Sequence, residues 1–244
     1  MQIFKTGDAY AQESEQLTSG TLNLRQLLGR GRAGLNAGDA EQGPDAFLAS
    51  FLPNEPGASI PRHTYPFPQF QVVVDGEATV GRHLVRPGSF HYSDAGSVSG
   101  PITPLDPEIG LTYFTLRPDN ASRLAQAVST EGQGSARTRR SIIGSRIHSE
   151  LHTEIVVSEL VGPEDDGLGV SAVTVPGKAT FTPPSLVSHG GQYLLVVEGA
   201  LSHAGTNLAA GSLVYLASGE TADFTAAREG SEILLLQFPT IDSV

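Results

Sequence analysis

The side chains with chemical potential crowd into one stretch, residues 57–99. It carries three imidazoles (His63, His83 and His91), and with His63 and His91 go a phenol (Tyr65), an amide (Gln69), a hydroxyl (Ser99) and the rings of Phe67 and Tyr92. Imidazole titrates near neutrality, so His63 can act as a general base or acid at physiological pH. Tyr65, with a phenol pKa near 10, can donate a proton or hold an oxyanion. Gln69 and Ser99 can orient a hydroxyl or carbonyl, and Phe67 and Tyr92 offer faces for a ring. A few polar groups converging among apolar ones is the usual make-up of a small-molecule site. His63 and Tyr65 are the candidate catalytic pair; Gln69, His91, Ser99, Phe67 and Tyr92 are the candidate ligand contacts.

These residues need strands to hold them. Residues 70–74 (FQVVV) are strongly β-prone and end at the turn pair Asp75-Gly76. Residues 78–85 form the return arm, 90–92 a short strand, and 109–116 a longer one stopped at Arg117-Pro118. Along residues 90–92 the side chains alternate, so His91 faces opposite to Phe90 and Tyr92. Whether it faces a cavity or the outside stays open at this level. Upstream, 21–28 reads as a strand or a short helix, and 47–52 as a strand. The glycine-rich 29–34 lacks the Gly-Lys-Ser ending of a phosphate loop and reads as a flexible loop. Residues 120–128 (NASRLAQAV) form the best helix candidate, capped by Asn120 or Ser122. Residues 129–141 are polar and read as a linker. Beyond them 150–161, 170–175, 193–197, 213–216, 223–225 and 233–238 all read as strands.

One shift, 123 residues, superimposes the two halves. It carries Gln69 onto Gln192, Asp75-Gly76 onto Glu198-Gly199, Gly88 onto Gly211, Tyr92 onto Tyr215 and Gly96 onto Gly219. A repeat of this size means two copies of one domain, and short strands between glycine turns mean a sandwich or barrel. The expected division is 1–128 for the first domain, 129–141 for the linker and 142–244 for the second.

The glycine frame resembles the cupin family. In that family the first motif runs Gly, five residues, His, one residue, His, three or four residues, Glu, six residues, Gly. Gly57, His63, Gln69 and Gly76 fall on that spacing, with Tyr65 at the second His. Gly88, Asp94, Gly96 and Ser99 fall on the second motif, and Gly211, Ala217, Gly219 and Ala222 do so in the other half. The chain thus resembles a bicupin, which implies an all-β fold of two jelly-roll barrels in tandem. The family holds one divalent metal with three His and a Glu. Here the ligand positions depart from the pattern, so a cavity without metal and a reduced site both stay open. In the second case His63, Gln69 and His91 would hold one ion of iron, manganese, nickel, copper or zinc in the N-terminal barrel. None is expected in the C-terminal barrel, where Ala222 cannot ligate. His83 and His203 sit in hairpins and are expected at the surface. His148 and His152 read as surface histidines near the linker, and His189 lies too close to Gln192 for the motif.

The totals narrow the function. The chain has 244 residues, a net charge of −11 and no cysteine. The acidic balance argues against nucleic acid and anionic membranes as partners, and no apolar run is long enough to span a bilayer. A cytoplasmic protein with a small-molecule ligand is expected. Residues 233–238 are apolar on both faces, which suits either an interface between the halves or a homodimer. The leading functional reading is acid–base chemistry of the isomerase, cyclase or lyase type on a small metabolite, with a reduced or absent metal. A mononuclear-metal dioxygenase, a non-catalytic binding protein and a purely structural role are the alternatives.

Overall fold

The computed structural model describes residues 1–5, 11–29, 43–65, 67–119, 139–146, 153–184 and 190–240. The helix candidate at 120–128, most of the linker, all but Gly29 of the 29–34 loop, and His148, His152 and His189 lie outside the described residues. Every regular element described is a strand, and among the described residues no helix is long and apolar enough to cross a membrane.

The chain divides into two compact units, one of residues Ala9–Ser145 and one joining Met1–Asp8 to Arg146–Val244. Each is a jelly-roll barrel. In the first unit the main sheet runs, in spatial order, Ser141–Ser145 (β13), Ser89–Ser93 (β9), Gln69–Asp75 (β6), Leu111–Arg117 (β12), Asp45–Pro53 (β4), Gly20–Leu28 (β3) and Ala11–Leu17 (β2). A three-stranded sheet of Ile102–Pro104 (β11), Ala78–Val80 (β7) and His83–Val85 (β8) makes the facing wall. His63–Thr64 (β5) pairs with Val98–Ser99 (β10). In the other unit Gln2–Phe4 (β1), Leu213–Leu216 (β19), Gln192–His203 (β17), Phe224–Gln237 (β20), Gly169–Val175 (β15) and Val156–Val161 (β14) follow one another across a single sheet.

Two strands lie apart from the domain division read in the sequence. β1 pairs with β19, Gln2 opposite Tyr215, and Ile3 packs on the core of the C-terminal barrel. β13 pairs with β9, and Ile143 packs on the core of the N-terminal barrel. In each case a short strand gains a sheet edge and an apolar contact that it could not provide for itself. β2 (AQESEQL) shows no apolar period because it is an edge strand, exposed along most of its length.

The 123-residue repeat is physical. Phe70 stacks on Tyr92 with ring centroids 4.9 Å apart, and their counterparts Tyr193 and Tyr215 stand 5.0 Å apart at nearly the same tilt. The Gly88 N–H donates to the Val73 carbonyl at 2.9 Å, and the Gly211 N–H to that of Val196 at 2.8 Å. Gly76 and Gly199 close equivalent turns with φ of 78° and 72°. A Cβ at either would run into a backbone carbonyl, of Gly110 and Gly230 respectively. Gly76→Ala and Gly199→Ala should therefore each cost about 2 kcal/mol or more, from the left-handed conformation and the clash together. Urea unfolding of each variant against wild type measures this, and Gly57→Ala, where nothing lies within 4 Å of the added carbon, separates the clash from the backbone strain.

Candidate functional site

The N-terminal barrel encloses a small cavity between its main sheet and the facing wall. Gln71, Val73 and His91 line it from the main sheet, Val80, Val85 and Ile102 from the other side. Its volume is about 20 Å³ on the measure by which roughly 10–15 Å³ holds one water, so it has room for one or two waters or a group of that size.

Strand alternation decides which side chains reach it. On β9, Ser89 and His91 line the cavity together with part of Phe90, and Tyr92 does not. Tyr92 is directed instead at Phe70, and its hydroxyl donates to Asp94 Oδ1 at 2.8 Å under the Arg140 guanidinium. Phe67 is buried beneath the guanidinium of Arg117, which is paired with Asp45. Neither ring lines the cavity; each packs against a guanidinium instead.

His91 is 4% exposed and both ring nitrogens are engaged. Nδ1 lies 3.3 Å from Gln71 Oε1 and Nε2 lies 2.9 Å from Ser141 Oγ. Burial, reinforced by the charges of His63 and His83, pushes the imidazole down to about 4. It is therefore neutral at physiological pH.

His63 is held differently. Its Nδ1 lies 2.7 Å from the Pro61 carbonyl, which can only accept. Nδ1 therefore carries the hydrogen and Nε2 carries the lone pair. That Nε2 is buried and has no hydrogen-bond partner among the described residues. Tyr65 meets the His63 ring edge-on, with centroids 4.7 Å apart, and its carbonyl accepts the Gly96 N–H. Tyr65 thus orients His63 through its ring. Ser99, the register partner of His63, buries an Oγ that likewise finds no partner among the described residues. The same holds for both amide atoms of Gln69 and for Gln71 Nε2. Ser99 adjoins His63, His63 acts on His91, His91 bonds Gln71, and Gln71 shares a strand face with Gln69. His83 is exposed on β8.

The second barrel has the same frame and a different filling. The 123-residue shift carries Gln71, His91, Ser93 and Ser99 onto Leu194, Val214, Leu216 and Ala222, all in its apolar core. Gln192, the counterpart of Gln69, and Ser212, the counterpart of Ser89, stay polar, and the Gln192 amide donates to the Pro184 carbonyl at 3.1 Å. His203 is half-buried, not at the surface as its hairpin position suggests, because Nδ1 bonds the Asp223 carbonyl at 2.8 Å and the ring packs on Phe224.

A divalent metal needs several good donors and a carboxylate to offset its charge. His63 Nε2 has the bearing of a metal-binding imidazole, its other nitrogen fixed by a carbonyl. The rest of the set does not fit. Both nitrogens of His91 are bonded to protein, Gln69 is neutral, and among the described residues no three His, Asp or Glu side chains come together. Gln71 and Ser141 were not singled out in the sequence. Gln71 could have been found, since it is two positions from Gln69 and must share its face. Ser141 lies 50 positions from His91 and is brought to it only by strand pairing.

The depressed imidazole has a consequence for stability. Below about pH 6.5 the unfolded chain protonates His91, while the native ring stays neutral down to about 4. Native stability should therefore fall as pH drops through that window, by roughly 3 kcal/mol from this residue, and level off below it. Denaturant unfolding across the window, for wild type and His91→Gln, measures the contribution as the difference in slope.

No family model matches the chain, and no curated protein sequence matches it. Solved structures do. A proposed dioxygenase from Nostoc punctiforme covers all of this chain and 84% of its own length at 11% identity, with a TM-score of 0.64. An 11S globulin from Wrightia tinctoria, described with an auxin binding site, covers 98% and 83% at 11% identity and 0.60. The nickel(II) complex of the bacterial pirin YhhW from Escherichia coli covers 98% and 99% at 13% identity and 0.58. Identities so low speak for the fold and leave the chemistry open. The chain has the cupin fold, as two jelly-roll barrels in tandem.

Proposed function

We propose that the chain is a bicupin whose N-terminal barrel is the working one, binding a small organic metabolite and moving a proton on it, with His63 as the general base. The observation that carries this reading is the row of buried polar atoms in that barrel, His63 Nε2, Gln69 Oε1 and Nε2, Gln71 Nε2 and Ser99 Oγ, which find no partner among the described residues. An unsatisfied buried polar group costs about 1–3 kcal/mol, and a ligand or ordered water would recover it. The apolar core of the C-terminal barrel makes that barrel a scaffold.

His63 supplies the lone pair. The Pro61 carbonyl holds the opposite N–H, so the ring presents Nε2 as a base and stores the proton there as imidazolium, with Tyr65 fixing the plane. Ser99 and Gln69 can hold the hydroxyl or carbonyl of the ligand beside it. Isomerase, cyclase or lyase-type chemistry needs this kind of transfer. The pirin with nickel and the proposed dioxygenase support a second reading, a mononuclear-metal dioxygenase, and the globulin with its auxin site supports a third, a binding protein without turnover.

Deuterium wash-in into hydroxyacetone, followed by proton NMR in heavy water, tests proton abstraction without knowledge of the product. Exchange should survive chelation and fall about 100-fold or more in His63→Ala, the lower end of a general base's usual contribution. Elemental analysis of the same samples should show no stoichiometric metal. One metal per chain, lost in His63→Ala, would turn the reading to the oxygenase; a thermal shift without exchange would turn it to the binding protein.

A further inference from the structure

We propose that Gln71 is the ligand's carbonyl-binding group, aimed by a hydrogen-bond relay that begins at Ser141, and that the site takes uncharged carbonyl compounds. The direction of the relay follows from what each atom can do. Gln71 Oε1 only accepts, so the hydrogen between it and His91 sits on Nδ1, 3.3 Å away. A neutral ring with a hydrogen on Nδ1 has a bare Nε2, so the Ser141 hydroxyl, at 2.9 Å, must donate to it. With its oxygen turned to His91, the Gln71 amide points its NH2 the other way. Gln71 lines the cavity, is 6% exposed, and its Nε2 has no partner among the described residues. What faces the cavity is therefore a pure donor, fixed in orientation by two residues behind it.

A donor of this kind selects an acceptor oxygen. The surroundings select against charge: Val73, Val80, Val85, Ile102 and Leu111 make up much of the wall, and among the described residues no Lys or Arg lines it. A carboxylate would lose its hydration there with no cation to compensate. A ketone, aldehyde or amide oxygen would lose little and gain the Gln71 bond. The cavity volume limits the inserted part to about the carbonyl end. That a neighbouring hydroxyl of the ligand meets His63 Nε2 rests on the function proposed above; the relay does not.

Ser141 and His91 are positioning residues in this scheme, and Gln71 is the contact. The full chain, labelled with nitrogen-15, reports each part. Long-range proton–nitrogen correlation should show His91 with its hydrogen on Nδ1 in wild type. Ser141→Ala should shift the ring toward the other tautomer and move the Gln71 side-chain NH2 signal, while Ser141→Thr, which keeps the hydroxyl, should restore both. Hydroxyacetone should shift the Gln71 NH2 resonance, bind about tenfold more weakly to Ser141→Ala and leave no such shift in Gln71→Leu; glycolate should bind far less. A hydrogen on His91 Nε2 in wild type, a tautomer indifferent to Ser141→Ala, or equal binding of glycolate would overturn the proposal. If relay and binding hold while deuterium exchange is absent, the base reading falls and the carbonyl site stands.

Discussion

A buried imidazole has two polar nitrogens and nowhere to send them but into protein. That constraint organises the N-terminal barrel. His91 sits with almost no exposure among valines and leucines, where a charged ring would be costly and an unbonded one nearly so. It stays neutral, and each nitrogen has a partner. One partner, Gln71, comes from the adjacent strand and register. The other, Ser141, comes from β13, and this is what makes a short strand from the far end of the unit part of the barrel. Arg140, one residue before Ser141, is fastened to Asp94 by its backbone N–H at 2.7 Å and by its guanidinium at 3.2 Å. Asp94 also takes the Tyr92 hydroxyl. The clamp, the strand and the histidine form one structure.

The two barrels show what that arrangement displaces. They share turns, stacked rings and strand hydrogen bonds at one fixed shift, so the frame does not depend on what fills it. In the C-terminal barrel the corresponding inward positions carry Leu194, Val214, Leu216 and Ala222, which bury cleanly. In the N-terminal barrel they carry an amide, an imidazole and two hydroxyls, several of them unsatisfied among the described residues. A core with unpaired polar atoms is less stable than an apolar one of the same shape. The asymmetry is thus a cost that falls mainly on the N-terminal barrel, since among these counterparts only Gln192 Oε1 is likewise unsatisfied in the other one among the described residues, and the proposed binding site rests on it.

Much of this was legible in the sequence, and the unreadable parts have physical causes. The strands at 70–74 and 90–92, the turns at Gly76 and Gly199 and the repeat were plain because backbone conformation and burial leave a local mark. The inward position of His91 was conditional on where Phe90 and Tyr92 pack, and the Phe70–Tyr92 stack supplied that condition. The pairings of β1 and β13 are not legible because strand partners are chosen by long-range pairing, which three or five residues cannot encode locally. β2 was missed since an edge strand exposed on most of its length has no hydrophobic period to read. For Phe67 and Tyr92 residue type cannot decide, since an aromatic ring packed on a cation looks the same in a sequence as one that meets a ligand.

The same logic bears on metal. The spacing of Gly57, His63 and Gly76 is that of a metal-binding motif, yet spacing fixes only where side chains stand and not what they can donate. His63 keeps the full geometry of a ligand, with its far nitrogen held by a carbonyl. The other motif positions are neutral or bonded to protein, and among the described residues no carboxylate joins them to offset a divalent charge. The groups that aim His63 are the Pro61 carbonyl and the Tyr65 ring, and neither contact depends on an ion, so the orientation that suits a ligand suits the proposed base equally well.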